Sequence, residues 1–379
     1  MPVVTCIEDL RELSRRRIAR AIFDYVDRGS YAEATLHANR ADLQLLTLRQ
    51  RVGIDVDNRS TATTMLGQPV SMPAALAPIG LCGLNWADGE VLAARAAERF
   101  GVPFTLSTMS ICSIEDVASA VTRPFWFQLY VMRNRGFAAS LIERAKAAGC
   151  SALVLTLDLQ IQGQRHRDLK NGLAVPPKLT PATFFDIARK PGWALNVLRG
   201  KRKSFGNLEG RIPDAKSLTT LSQWIAGQFD PTLSWKDVEW VKKLWGGKLV
   251  LKGILDVEDA KIAAQSGVDA IVVSNHGGRQ LDGTTSSVRA LPEVAAAVGD
   301  RLEVWLDGGI RSGQDILRAL ALGAKSTLVG RAYIYGLGAM GEQGVALALE
   351  LMRRELDVTM ALCGLRDVRE ANPAILTKS

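Results

Sequence analysis

Within Ser274-Asn-His276-Gly-Gly-Arg279-Gln-Leu-Asp282 the chain brings together an imidazole, two glycines and a guanidinium. His276 can exchange a proton near neutral pH, the glycines let backbone approach a ligand closely, and Arg279 presents a planar fork that matches a carboxylate. Those groups suit proton transfer on a small carboxylic acid. The same residues would also serve as an ordinary loop histidine beside a surface arginine. Position bears on the choice. The stretch follows Asp269-Ala-Ile-Val-Val273, an apolar, β-branched run of the kind that forms a buried parallel strand, so the polar groups arrive at a strand's carboxyl end.

That strand has seven counterparts. Short apolar runs recur at Met72 to Ala77, Phe104 to Ser107, Phe125 to Tyr130, Ala152 to Leu157, Leu249 to Lys252, Ala270 to Ser274, Glu303 to Leu306 and Ser326 to Val329. Between them, Gly89 to Phe100, Phe137 to Ala148, Val257 to Ser266 and Gly313 to Leu322 carry helical spacing. Strands alternating with helices specify an α/β fold, a TIM (β/α)8 barrel spanning 69–364. The strand interval is roughly 20 to 30 residues except between the fourth and fifth, where a long insertion (161–235) falls on the face that carries active sites in such barrels. Ahead of the barrel lies an N-terminal helical segment (1–68). In it, Ile7 to Arg28 reads as one amphipathic helix closed by Gly29, with Ile18, Ile22, Phe23 and Tyr25 on its apolar side. The reading is of a single domain over 1–379.

Composition narrows the classes. The net charge is +8, yet 161–216 alone holds 12 Lys or Arg against 4 Asp or Glu, leaving 35 of each sign elsewhere. A surplus confined to one segment points to a local anionic partner such as a membrane surface, and not to nucleic acid. Five scattered cysteines, with no C-x-x-C pair, read as reduced thiols, and no metal site is expected. The first twenty residues lack the apolar core of a secretory leader, and no window approaches the roughly 18 apolar residues of a spanning helix.

The strand ends carry the polar residues. In order they read Ala77-Pro78-Ile79-Gly80, Ser107-Thr108, Gln128-Leu-Tyr130, Thr156-Leu-Asp158, Lys252, Ser274-Asn-His276, Asp307-Gly308-Gly309-Ile-Arg311 and Gly330-Arg331. Gly-rich turns after the last two strands, each followed by an arginine, match the standard barrel phosphate site. Ser107, Gln128 and Thr156 suit the polar edge of a heteroaromatic ring, and Lys252 suits a ring that becomes negative on reduction. The combination fits flavin mononucleotide (FMN). Gly336-Leu-Gly338-Ala-Met-Gly341 formally matches G-x-G-x-x-G, but no second strand follows, so the dinucleotide reading fails its context.

With these residues in view, the chain resembles the FMN-dependent 2-hydroxy acid oxidising family from the N-terminal helix to about Gly364. The likeness is carried by Ser274 to Asp282, Phe23-Asp-Tyr25, Trp126-Phe-Gln-Leu-Tyr130, Leu251-Lys-Gly253 and Leu322-Gly-Ala. Within the family it is most similar to the respiratory L-lactate dehydrogenase branch. The resemblance implies His276 as acid/base residue, oriented and charge-stabilised by Asp158. It implies Arg165 and Arg279 as a carboxylate clamp, and Tyr25 and Tyr130 as hydrogen-bond partners of the carboxylate and the hydroxyl or keto oxygen. FMN would be held by Pro78, Ile79, Gly80, Ser107, Gln128, Thr156, Lys252, Ser274, Asp307, Gly308, Gly309, Arg311, Gly330 and Arg331. The expected reaction is oxidation of an L-2-hydroxy acid, L-lactate foremost, with electrons passed to quinone. Oxygen as acceptor, or a larger mandelate-type substrate, is the alternative. Two departures bear on that choice. Met109 stands where glycolate oxidases place tryptophan, and Leu-Gln-Ile-Gln-Gly after Asp158 lacks the proline of lactate-specific members. The resemblance also implies a homo-oligomer, a tetramer in the family.

The insertion carries a further expectation. Thr183 to Lys203 mixes Phe184, Phe185, Trp193 and Leu198 with the basic run Arg199 to Lys203, as a segment lying in a membrane interface does. A lid over the active site or a subunit contact is the competing reading. The expected place is peripheral, on the cytoplasmic side of the inner membrane. His37 and His166 read as surface residues, and Trp224, Trp235 and Trp240 as helix packing.

Overall fold

Along each barrel strand, residues of one parity face inward and those of the other face the helices. In the computed structural model, which describes residues 3–172, 181–210, 212, 223–225 and 227–377, the outward set includes Leu76, Leu106, Phe127, Leu153, Leu155, Leu251, Val273, Leu306 and Val329. These join the helix side chains in one continuous apolar cluster, which is why the strands read as unbroken apolar runs. The inward set, including Ala75, Trp126, Val154, Val250, Val272, Trp305 and Leu328, packs as a second cluster.

A hairpin, β1 (Thr63–Met65) and β2 (Gln68–Val70), precedes the barrel. The barrel strands are β3 (Ala74–Leu76), β4 (Thr105–Ser107), β5 (Trp126–Leu129), β6 (Ala152–Thr156), β7 (Lys248–Ile254), β8 (Ala270–Val273), β9 (Glu303–Asp307) and β10 (Ser326–Val329). All eight fall where the sequence places them, with no end shifted by more than two residues. Sheet order is β3-β10-β9-β8-β7-β6-β5-β4, all parallel. A single parallel bridge from Leu76 to Phe104 brings β3 to β4, so the ring is nearly closed.

The lower barrel is filled. Trp126 and Trp305 stack with ring centroids 5.2 Å apart, and Met65 and Val70 of the hairpin belong to the same inner cluster. Glu303 accepts hydrogen bonds from the Trp305 indole N–H at 2.9 Å and the Leu66 backbone N–H at 3.1 Å, fastening the hairpin to the barrel. Following the inward parity upward gives Ser107, Gln128, Thr156, Lys252, Ser274 and Asp307. The site is therefore the top layer of the barrel interior.

The N-terminal helix departs from expectation. Ile7 to Arg28 forms two helices, Ile7–Arg17 and Arg20–Asp27, separated by extended Ile18 and Ala19, both buried. Lys190 donates to the carbonyls of Arg15 (3.3 Å) and Ile18, taking up groups that the first helix leaves free. The break lets each half bury its own apolar side. The glycines of the G-x-G-x-x-G match sit within and just after helix Arg331–Met340 and are packing glycines. A Cβ on Gly336 would lie 2.2 Å from the Gly344 carbonyl oxygen, one on Gly338 2.3 Å from Ser14 Oγ, and Gly341 adopts φ +63° against Trp86.

Between β6 and β7 the described chain forms helices His166–Lys170, Pro181–Ala188, Pro191–Arg199 and Trp235–Trp245. Residues 173–180 and most of 211–226, within the expected insertion, lie outside the described residues.

Candidate active site

At the barrel mouth the polar residues from β4, β5 and β6 form a row. The Ser107 hydroxyl donates to Gln128 Oε1 at 3.2 Å, and Gln128 Nε2 donates to Thr156 Oγ1 at 3.0 Å, all three buried. Asn207 of the insertion, fully buried, donates to the carbonyls of Ser107 and Thr108 and to Ser110 Oγ, so the insertion braces this edge.

Across the mouth, β7, β8 and β9 supply Lys252, Ser274 and Asp307. Lys252 Nζ lies 2.7 Å from Asp307 Oδ2, and Ser274 Oγ accepts from Lys252 at 2.9 Å while donating to Asp307 at 2.8 Å. Burial disfavours the Asp307 carboxylate, but the Lys252 ammonium holds its pKa below the usual range.

His276 extends this cluster. Its backbone adopts φ +58°, a left-handed conformation that His tolerates better than most residues, and its N–H donates to Ser274 Oγ at 3.1 Å. The imidazole Nδ1 lies 2.9 Å from Asp158 Oδ1. Burial lowers the His276 pKa from its usual value, against the opposing pull of Asp158. The imidazole is thus neutral and able to accept a proton at neutral pH, with its hydrogen bond to Asp158 presenting Nε2 as the acceptor. Asp158 owes its place to Gly253. At φ +101°, in the β7 bulge, a Cβ there would sit 2.6 Å from the Asp158 carboxyl carbon.

Three other residues of the Ser274 to Asp282 stretch are anchors. Asn275 exchanges two 2.8 Å hydrogen bonds with Asn39, Gln280 Nε2 donates to the carbonyls of Asp158 and Ile161, and Asp282 accepts from the N–H groups of Ala32 and Thr35. They tie the loop to helix Ala34–Leu45 and to the chain leaving β6.

Two arginines face the imidazole's side of the cavity. Arg279 Nη1 donates to the carbonyls of Tyr25 and Arg28, and its guanidinium lies 4.8 Å from the Tyr25 ring centroid. Arg165 Nε donates to the Arg279 carbonyl at 3.4 Å. Burial, and then the nearby Arg279 charge, push the Arg165 pKa down to about 10. Among the described residues neither guanidinium forms an ion pair, so the pair constitutes a ready anion site. Burial raises the Tyr130 pKa, with Asp158 adding to the effect, so its hydroxyl stays protonated and can donate.

The ends of β9 and β10 complete the enclosure. Gly308 and Gly309 adopt φ +111° and +85°, and a Cβ on Gly309 would meet the Asn39 carbonyl oxygen at 2.2 Å. Arg311 Nε is buried with no hydrogen-bond partner among the described residues. Arg331 differs, since its guanidinium already donates to the carbonyls of Val26, Gly277 and Arg28 at 2.8 to 3.0 Å.

One cavity joins nearly all of these groups. Tyr25, Pro78, Ile79, Gly80, Ser107, Tyr130, Thr156, Arg165, Lys252, His276, Arg279, Asp307, Gly308, Gly309, Arg311, Gly330 and Arg331 all line it. Gln128, Asp158 and Ser274 do not; each stands behind a residue that does. Met109, Leu159, Phe205, Ile225 and Phe229 form an apolar wall, three of them from the insertion. Asn207, Gly253 and Asn39 join the expected site residues. Gly253 is signalled by the Leu251-Lys-Gly253 motif, next to Lys252, whereas Asn207 and Asn39 carry no local signal.

Comparison with known proteins gives a consistent result. A model of the FMN-dependent dehydrogenase family matches residues 14–378. An L-lactate dehydrogenase of Caulobacter vibrioides is 49% identical over 377 residues, 99% of this chain and 98% of that protein. One from Haemophilus influenzae is 48% identical over 375 residues, covering 99% and 98%. Among solved structures, the monotopic membrane protein (S)-mandelate dehydrogenase aligns over the full length of both chains with a TM-score of 0.95 and 36% identity.

Proposed function

The chain belongs to the FMN-dependent dehydrogenase family, and from that premise we propose that it oxidises an L-2-hydroxy acid to the 2-keto acid, with L-lactate to pyruvate as its reaction. The observation that carries the reading is one cavity holding a carboxylate-backed imidazole and two guanidiniums, those of Arg165 and Arg279, that have no ion-pair partner among the described residues.

The residues present fit FMN. Arg311 Nε, buried with no hydrogen-bond partner among the described residues, and the backbone of the glycine turns at 308–309 and 330 suit its phosphate end. Pro78 to Gly80, Ser107, Thr156, Lys252 and Asp307 suit the ring and its chain, with Gln128 and Ser274 holding that row and Gly330 and Arg331 opening a helix toward the phosphate. When bound, FMN supplies a two-electron acceptor. Arg165 and Arg279 clamp the substrate carboxylate, and Tyr25 and Tyr130 fix its oxygens by hydrogen bonds. His276 removes a proton, and Asp158 stabilises the imidazolium that forms.

Anaerobic addition of L-lactate is expected to bleach the flavin absorbance. A panel with mandelate, glycolate and longer aliphatic L-2-hydroxy acids then ranks substrates, and no bleaching with any of them would refute the reading. A second reading, a larger mandelate-type substrate, draws on the apolar wall of Met109, Leu159, Phe205, Ile225 and Phe229.

The pH dependence has a defined sign. His276 acts as base only when neutral, and its pKa is lowered. Activity therefore falls as pH drops, and the acid limb of kcat/KM lies below the ordinary histidine value of about 6.5. Since Asp158 raises the His276 pKa, Asp158→Asn moves that limb to still lower pH while cutting the plateau by about 10²- to 10⁴-fold. A limb that moves upward would sink the pairing.

For the electron acceptor, we propose quinone, met at a membrane surface. Phe184 and Phe185 are 64% and 62% exposed and Leu198 67%, with Arg189 and Arg199 exposed beside them. The membrane-protein neighbour supports the same reading. No described helix is long and apolar enough to cross a membrane. The contact is narrower than composition suggests. The Trp193 indole donates inward to the Leu84 carbonyl at 2.9 Å, Lys201 and Arg202 pair with Asp116, and Lys203 donates to the last carbonyls of helix Pro191–Arg199. Burying a phenylalanine contributes about 1.5–3 kcal/mol when complete. The double variant Phe184→Glu/Phe185→Glu is thus expected to bind anionic liposomes at least tenfold more weakly at low salt. Unchanged cosedimentation would remove this segment from the interface.

A further inference from the structure

We propose that Asp307 is a counter-charge that lowers the reduction potential of the bound flavin by cancelling part of the field of Lys252. The proposal rests on the reading that Lys252 stands beside the flavin ring. Oxidation of a hydroxy acid releases two electrons and two protons. One proton goes to His276; the electrons and the other proton go to the flavin and leave one negative charge on its ring. An isolated ammonium beside that ring would hold the reduced form strongly, and electrons could then leave only to a strong oxidant.

The structure does not present an isolated ammonium. Lys252 is 4% and Asp307 8% exposed, and Nζ and Oδ2 are 2.7 Å apart. Together they act as a dipole, whose field falls off faster with distance than that of a single charge. Ser274 locks the pair. Its one hydroxyl proton goes to Asp307, and its lone pairs take Lys252 Nζ and the His276 N–H, which fills its hydrogen-bonding capacity. The Asp158 carboxylate faces His276 instead. Lys252 forms no other ion pair among the described residues.

The test uses FMN-saturated full-length protein and reads the two-electron midpoint potential by dye equilibration. The affinity for sulfite, which adds to oxidised flavin and leaves a negative charge on the ring, is a second readout. Asp307→Asn is expected to favour the reduced form tenfold or more, equivalent to about 30 mV for a two-electron couple, and to tighten sulfite binding in parallel. Asp307→Ser repeats that direction should the amide variant fold poorly, and Asp307→Glu stays within about threefold of wild type. Lys252→Met shifts both readouts the other way. The double variant Lys252→Met/Asp307→Asn removes a neutral pair and returns to within about threefold of wild type. An unchanged or lowered potential in Asp307→Asn, alongside a lowered one in Lys252→Met, overturns the counter-charge. A Lys252→Met potential equal to wild type overturns instead the placement of Lys252 beside the ring, and the proposal with it.

Discussion

His276→Gln is expected to retain FMN while anaerobic flavin reduction by L-lactate slows by about 10²- to 10⁴-fold or more, the range that a positioned general base contributes. The substitution isolates the chemistry. Glutamine has similar reach, and its amide can still donate to Asp158 Oδ1, which lies 2.9 Å from the imidazole in the wild type. The bond that holds the strained backbone, from the residue 276 N–H to Ser274 Oγ, is a main-chain bond and survives. The glycine turns and Arg311 are untouched, so FMN affinity should stay near wild type. What is lost is a group able to take a proton near neutral pH. Rapid mixing under anaerobic conditions gives the reduction rate directly, and a rate within tenfold of wild type would rule out His276 as the base.

Arg165→Met is expected to lower kcat/KM by about 10²- to 10³-fold, because truncating one partner of an enclosed, hydrogen-bonded charge pair costs about 2–5 kcal/mol. Its effect on the free enzyme has the opposite sign. Arg165 is enclosed near another guanidinium and has no ion-pair partner among the described residues, which is why its pKa is pushed down to about 10. Methionine removes that like-charge repulsion, so the substrate-free thermal midpoint should hold or rise. Arg279→Lys separates the second guanidinium's two tasks. Lysine keeps the charge but cannot reproduce the fork, the stacking on Tyr25 and the bonds to the Tyr25 and Arg28 carbonyls together. The decisive measurement on Arg165→Met is a thermal shift with and without a 2-hydroxy acid. A free protein clearly less stable than wild type that still gains a wild-type shift on ligand addition would show a structural arginine and not a clamp.

Much of the barrel was legible because parity along a strand is a local property. Once the apolar runs are located, the next inward residue at each carboxyl end follows, and Ser107, Gln128, Thr156, Lys252, Ser274 and Asp307 fall in one layer. Rejecting the G-x-G-x-x-G match also needed only local context, and the structure assigns those glycines to close helix contacts. The N-terminal helix is the counterexample. At its break, Ile18 and Ala19, the carbonyls of Arg15 and Ile18 are taken by Lys190, a residue more than 170 positions away. Residue patterning within the helix cannot register such a partner. Likewise, Trp193, Lys201, Arg202 and Lys203 match a membrane-facing composition, yet Leu84, Asp116 and the preceding helix end engage them.

What the sequence by itself determined was the inventory and its order: eight strands, the polar residue closing each, and a histidine–arginine loop after the sixth. These follow from periodicity and side-chain chemistry, which neighbouring residues fix. Tertiary structure decided which residues meet the cavity and which stand behind it. Asp158 reaches His276 because Gly253 leaves space for it, Lys252 meets Asp307 through Ser274, and Asn207 braces the Ser107 edge from the insertion. Each of those relations is a distance of a few ångströms between residues far apart in the chain, set by how strands close into a barrel and not by anything adjacent in sequence.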